Sequence, residues 1–277
     1  MPWLTGSSRV SNYKIVMLKL RSLSLSQKEN RKRIVLPDAL TPKLAEDVGW
    51  LIGDGSMNIY NKNYLIKIAG DPTEEKTFYD DIIAPTKKGL FNLFLKARDL
   101  SDGSYGLIIY SKALLLFYNQ IIELPLSPKN NMTIPEIIKK AGKNTLKACI
   151  RGVFDTDGVL TFHKKRKALH YYPSIELENI SKNLINDLKR ILEDFGFKVY
   201  AEFNLKRPTS VGYPRMTHRL FLYGQKNLER WIREIGFRNQ KHLTKYMVWE
   251  KFGFCPTYTT LEERYRILNG KLSPYNL

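Results

Sequence analysis

The sequence predicts an α+β fold made of two pseudo-symmetric halves, each running α-β-β-α-β-β-α with antiparallel sheets. Two observations carry this. The segments Val48–Gly55 and Arg151–Gly158 share one shape: an apolar helix end that delivers a carboxylate and then turns on a glycine, 103 positions apart in a chain of 277 residues. After each of them the same order of hydrophobic periods repeats, alternation with period two giving way to helical spacing and back.

Residues 1–38 form a basic, serine-rich N-terminal extension with Lys28, Arg31, Lys32 and Arg33 in one cluster, either a helical arm on a polyanion or a leader without fixed structure. The first half spans 39–125. Thr41 is placed to cap a helix that Pro42 opens and that runs to Asp54. A hairpin through Asn61 and Asn63 leads into an alternating strand over Tyr64–Ile68, followed by a helix over 73–90. A strand pair split by Ser101-Asp102-Gly103-Ser104 and an apolar helix over 112–123 complete the half. Pro125, Pro128 and Asn130-Asn131 mark a linker over 126–141. The second half spans 142–253, with a strand pair around the basic tip at 163–167, a helix over 181–195 ending at Gly196, and a strand pair split by a Pro208–Pro214 loop. A last helix begins near Lys226, and 254–277 is a C-terminal tail. Phe91, Leu93, Leu95 and Ala97 alternate as Phe197, Val199, Ala201 and Phe203 do, so both stretches are expected to be strands with one free face.

Composition narrows the function. A formal charge of +18, from 45 Lys+Arg against 27 Asp+Glu, favours a polyanionic partner. No run approaches the ~18 apolar residues of a spanning helix, and the N-terminus shows no signal-peptide core. Two cysteines make neither a disulfide framework nor a zinc site. The expectation is an intracellular, cytoplasmic, prokaryotic-type protein, and the lysine-rich, cysteine-poor composition is that of a thermophile.

On each motif helix the residues four apart are small: Ala45, Gly49 and Gly53 in one, Ala148, Gly152 and Thr156 in the other. Such stripes let two helix backbones approach closely, which would bring Asp54 and Asp157 together at their C-terminal ends. Two acids at the negative ends of helix dipoles repel one another and raise each other's pKa. A divalent cation reverses that sign. Hard oxygen ligands suit Mg²⁺, with Mn²⁺ able to substitute, and such an ion between carboxylates can activate water against a phosphodiester.

These motifs resemble those of the single-chain, two-motif LAGLIDADG homing endonucleases, over roughly residues 40–253. Ile150–Gly158 is close to the family pattern with both Asp155 and Asp157, while Asp47–Gly55 carries Ile52 where the earlier acid would stand. The resemblance implies two αββαββα halves about a pseudo-dyad with antiparallel DNA-binding sheets straddling a duplex. It implies Asp54 and Asp157 as metal ligands, with the carbonyls of Gly53 and Thr156. It also implies a catalytic basic residue at the end of the last strand of each half, where Lys112 and Lys226 stand. A polar residue near the active-site strand is usual; Asn179 can serve in the second half, but Gly70, at its counterpart, cannot.

The implied partner is double-stranded DNA with a long, near-palindromic or asymmetric target, bound by a monomer because one chain already supplies both acids. The residues expected on the DNA are Lys67, Lys96, Arg98, Lys198, Tyr200, Lys206, Arg207, Arg215 and Arg219 on and around the sheets, and His163, Lys164, Lys165 and Arg166 at the basic tip. Glu176 and Glu178 would accept from cytosine amino groups or face away from DNA. The alternative function is an RNA maturase or DNA-binding regulator on the same scaffold, without nuclease activity. Protein splicing is not expected of a chain that starts Met-Pro and ends Tyr-Asn-Leu.

Overall fold

The computed structural model describes residues 16–20, 23–166, 168–208 and 212–277. Two short strands, β1 (Val16–Met17) and β2 (Ala39–Leu40), pair around helix α1 (Gln27–Arg31) and bring the chain into the first half. Helix α2 (Pro42–Ile52) starts where Thr41 Oγ1 accepts the Leu44 N–H at 3.2 Å, with Pro42 in the first turn. Strands β3 (Gly55–Tyr60) and β4 (Asn63–Gly70) follow, joined by Asn61 and Lys62, both at positive φ as a two-residue hairpin turn requires. Helix α3 (Lys76–Phe78), a π-helical turn over Tyr79–Ile83 and helix α4 (Ala84–Phe91) cover the sheet. Strands β5 (Arg98–Asp99) and β6 (Tyr105–Tyr110), then helix α5 (Lys112–Leu116) and a second π-helical turn over Phe117–Ile121, end the half.

The connector carries helix α6 (Glu136–Lys139). The second half repeats the plan with α7 (Lys143–Thr156), β7 (Gly158–His163), β8 (Tyr172–Asn179), α8 (Lys182–Asp194), β9 (Tyr200–Arg207), β10 (Arg215–Tyr223) and α9 (Gln225–Glu234). Helices α10 (Gln240–Phe252) and α11 (Leu261–Leu268) follow. The sheet orders are β3-β4-β6-β5 and β7-β8-β10-β9, antiparallel throughout. Gly55 lies opposite Ile68 and Gly158 opposite Leu177, so Gly70 and Asn179 occupy equivalent positions.

The predicted strand over 91–97 is not one. Helix α4 runs to Phe91, Asn92 turns with φ 54°, and only Arg98–Asp99 pair with β6. The alternation itself survives, with Leu93 and Ala97 buried and Phe94 exposed. Period two reports which side chains face the core, and an irregular segment lying along the core satisfies it without ladder hydrogen bonds.

The two halves meet through α2 and α7, whose backbones touch. A Cβ on Gly49 would lie 2.2 Å from the Cys149 carbonyl oxygen, and one on Gly152 would lie 2.3 Å from that of Glu46. Around this contact Arg151 Nε pairs with Glu46 Oε1 at 2.7 Å, and Arg238 with Glu46 Oε2 at 3.0 Å. The first half packs Trp50, Phe78, Tyr79, Phe91, Phe117 and Tyr118 edge to face; the second packs Phe154 on Trp231 at 4.6 Å. Among the described residues, no helix is long and apolar enough to cross a membrane.

Candidate functional site

Glycine and threonine decide where the two motif helices end. A Cβ on Gly53 would lie 1.9 Å from Thr156 Oγ1 and 3.3 Å from the Asp157 backbone nitrogen, so the helix ends abut there. Thr156 Oγ1 donates back into its own helix, toward the carbonyls of Gly152 and Val153. Asp54 and Asp157, one residue beyond each contact, point to the same side, and each takes one neutral donor: Tyr79 Oη to Asp54 Oδ2 and Asn179 Nδ2 to Asp157 Oδ2, both at 3.0 Å. Burial pushes Asp54 up to about 8, helped by the charges of Glu75 and Asp157. Burial also raises Asp157, against the pull of Lys129, Asn179 and Lys241.

Two lysines flank the acids, and neither is one of those expected from the sequence. Lys129, in the connector ahead of α7, donates its Nζ to the carbonyls of Ile52 at 2.6 Å and of Gly53, capping α2 with a positive charge. Its pKa is lowered by burial, and the charges of Asp157 and Asp54 oppose that shift. Lys241, in the first turn of α10, pairs with Glu75 at 2.9 Å. Each lies in the segment that follows the last helix of its half. Lys112 and Lys226 are not brought to the acids. Gly70 lies opposite Tyr105, and Tyr110 is five residues farther along β6, about 17 Å away; β10 runs the same way from His218, opposite Asn179, to Tyr223. Because each last strand starts at the acids and runs away from them, the residue after it sits at the far end of the sheet. A connector lysine carries no periodic signal, so pattern reading passes over Lys129.

Glu75 also escaped the sequence reading. It is buried, and its Oε2 fills the space above Gly70, accepting the Asp71 N–H at 2.8 Å. Its Oε1 accepts from Asn239 Nδ2 at 2.7 Å and from Lys241. The polar group that Gly70 lacks thus comes from the next turn, as a carboxylate where the second half has the amide of Asn179. Asp155, the earlier acid of the second motif, is fully buried and accepts the N–H groups of Arg238 and Asn239 at 3.0–3.2 Å. It fixes the turn that starts α10 and so sets the position of Lys241. Burial pushes it up to about 7, against those two backbone donors.

Among the described residues, no three His, Cys, Asp or Glu side chains converge to hold a metal ion. The donor set still suits Mg²⁺, which takes one or two carboxylates and fills its remaining positions with water and substrate phosphate. The helix ends supply Asp54, Asp157 and the Gly53 carbonyl, all hard oxygens, and that carbonyl already holds a cation, the Lys129 ammonium. A depression of about 310 Å³ opens beside them, lined by Gly53, Lys129, Asp157, Asn179, Arg215 and Thr217.

Several residues expected on DNA are held by acids of the chain itself. Lys67 pairs with Asp102. His163 lies 3.1 Å from Glu176, Arg207 grips Glu178 through two 2.7 Å bonds, and Arg219 bridges Glu176 and Glu178 at 2.9 and 3.2 Å. Glu176 and Glu178 therefore share the open face with the arginines rather than facing away. Lys164, Lys165 and Arg166 are exposed at the tip, with Lys165 Nζ 3.5 Å from the centre of the Tyr172 ring; Lys167 lies outside the described residues. Lys96, Arg98, Lys198, Tyr200, Lys206 and Arg215 are exposed.

Residues 144–236 match the model of the LAGLIDADG-like domain. Over 213 residues the chain is 24% identical to the isomerizing glutamine–fructose-6-phosphate aminotransferase of Methanocaldococcus jannaschii, covering 76% of this chain and 18% of that protein. It is 25% identical over 214 residues to the DNA polymerase of Thermococcus litoralis (74% and 12%), and 23% over 282 residues to the replication factor C small subunit of M. jannaschii (95% and 14%). The chain thus spans less than a fifth of each of these relatives. Among solved structures, the LAGLIDADG homing endonuclease I-GzeII in complex with its DNA target aligns with a TM-score of 0.48 at 11% identity (77% of this chain, 90% of that one). The N-terminal LAGLIDADG domain of DUF199/WhiA aligns at 0.44 and 11% (80% and 95%).

Proposed function

We propose that this chain, a two-motif LAGLIDADG protein by the match over 144–236 and the sheet order repeated in both halves, is a site-specific endonuclease acting on double-stranded DNA. The observation that carries the reading is the pair of acids. Asp54 and Asp157 are forced together by backbone contact at the negative ends of two helices, an arrangement that costs stability and that a cation would relieve. A divalent ion held by them, with the Gly53 and Thr156 carbonyls as further ligands, would activate water and stabilise the leaving oxygen of a phosphodiester. Tyr79 and Asn179 orient the two carboxylates. Lys129 and Lys241 place positive charge on either side, where charge builds up on the phosphate. One chain supplies both acids, so the active form is a monomer.

The relatives add independent support. A similar stretch occurs within an aminotransferase, a DNA polymerase, a replication factor and an A-type ATP synthase subunit, and makes up less than a fifth of each. A segment shared by proteins of unrelated activity is best explained as an inserted element, and cutting DNA at a defined site is how such an element spreads.

The second reading is a binding protein, and one observation favours it: Lys129 already holds the Gly53 carbonyl that a metal would use. Both are tested by incubating the protein with DNA of a homologous host gene lacking the element, in Mg²⁺ or Mn²⁺. Cutting of both strands is expected, and Asp54→Asn or Asp157→Asn should abolish it while leaving binding intact. Tight binding with both strands left whole in either ion overturns the nuclease reading in favour of the binding protein.

A further inference from the structure

The open face of the first sheet is poor in charge for a DNA-binding surface. It presents Ser56, Asn58, Tyr60, Leu65, Lys67 and Tyr110, with Arg98 at the β5 edge, and its lysine is already paired with Asp102. Positive charge gathers instead at the far end of that sheet. Lys28 and Lys32 from the N-terminal extension, Lys62 from the β3–β4 turn and Lys112 after β6 all line one depression of about 240 Å³, together with Tyr64 and Tyr110.

The arm is docked there by one buried acid. Glu29 caps its own helix by accepting from the Ser26 N–H and hydroxyl, at 2.8 and 2.6 Å. It also reaches across to accept from Ser111 Oγ at 2.5 Å and the Ala113 N–H at 2.9 Å. Those donors, with burial opposing them, hold the carboxyl below its usual range. Among the described residues, the one acid lining this depression is thus turned inward, its oxygens already engaged. All four lysines are exposed, and among the described residues none of them forms an ion pair; Lys112 Nζ lies 5.6 Å from the centre of the Tyr64 ring. Four converging ammonium groups without a counter-charge repel one another, and an anion relieves the cost.

We propose that this lysine cluster is a phosphate-binding site for the backbone of duplex DNA, and that residues 26–33 are a DNA-contacting arm belonging to the first half. The inference rests on the DNA-binding reading above and extends it to a surface outside the two sheets. From Gly70 to Tyr64 along β4 is six residues, about 20 Å, so the cluster meets the duplex about six base pairs from the acids at 3.4 Å per step. Sequence is not read there; the site fixes register and adds affinity. Lys112 acts here rather than in the chemistry.

The experiment is a fluorescence-anisotropy titration of a 30-base-pair mixed-sequence duplex between 50 and 200 mM KCl. It compares wild type with a Lys28→Gln/Lys32→Gln/Lys62→Gln variant whose circular dichroism and Tm match wild type. Each phosphate contact contributes about 0.9 to the slope of log K against log salt. The variant should therefore bind about 100-fold more weakly at 50 mM, with a slope smaller by about 2 to 3, so that the gap narrows to a few-fold at 200 mM. If wild type binds and the variant keeps both affinity and slope, the arm is no phosphate site and only this inference falls. If wild type does not bind the duplex at any of these salts, the DNA reading falls and takes the inference with it.

Discussion

Glu75 stands where Gly70 has no side chain: a Cβ at residue 70 would lie 2.1 Å from Glu75 Oε2 and 3.1 Å from Asp54 Oδ2. The two acids therefore sit in different company, Asp54 beside a carboxylate and Asp157 beside the amide of Asn179. Gly70→Ala should push Glu75 aside and loosen Lys241, with little effect on Asp157. On a supercoiled plasmid carrying the target, nicked circles should accumulate as cutting of one strand slows at least tenfold, about 1.4 kcal/mol of transition-state stabilisation. Equal slowing of both strands would show that the half-sites do not work separately.

Lys129→Ala and Lys241→Ala should each lower the single-turnover cleavage rate by about 10²-fold, the scale of losing one stabilising donor, with DNA affinity changed much less. Lys226→Ala, at the far end of β10, should leave the rate unchanged. A rate loss in Lys226→Ala as large as in Lys241→Ala would contradict the placement of the charges.

Stability in the absence of divalent ions should fall as pH rises. Asp54 is pushed up to about 8 and Asp155 to about 7, both by burial. A carboxyl whose folded pKa lies above its unfolded value holds its proton more tightly in the folded chain. Its contribution is complete below about pH 4 and is lost as pH rises through the folded pKa. Tm measured in EDTA should therefore drop between pH 5 and 9, and Asp54→Asn should flatten the part of that drop near pH 8. A Tm that is level across this range in wild type would rule the linkage out.

Asp47 and Lys87 form a fully buried ion pair at 2.6 Å in the first half, with Tyr118 donating to Asp47 and accepting from Lys87. Asp47→Ala leaves the ammonium buried without its counter-charge and should cost about 3–5 kcal/mol in urea unfolding. Asp47→Leu combined with Lys87→Met should recover much of that loss. A double variant as unstable as Asp47→Ala would mean that packing, not charge, dominates the site.

The sequence carried the repeat well, because stripes of small residues and alternating strands are local patterns. Asp54, Asp157 and the helix pair that presents them could be placed from spacing alone. Polar groups that arrive from connectors could not. Lys129 and Lys241 follow turns whose direction no period encodes, and Glu75 matters only because Gly70, five residues earlier, leaves it room. Lys112 and Lys226 do follow the last strands, as expected, but the resemblance put those strand ends at the acids, whereas each last strand starts there and runs away. The pairing of Arg207 and Arg219 with Glu178 was hidden for a related reason: residues on different strands become neighbours only once register is known.

The α2–α7 contact separates two properties of the protein. Main chain meets main chain at Gly49 and Gly152, so the offset between Asp54 and Asp157 does not depend on which side chains the sheets display. Exchanging strand residues would change the surface that the sheets display while the spacing of the two acids stays constant. Widening that spacing would need a bulkier residue at one of the two glycines, and either replacement would collide with a carbonyl oxygen across the seam. The faces of the two sheets are free to diverge, while the distance between the two acids is held by the seam.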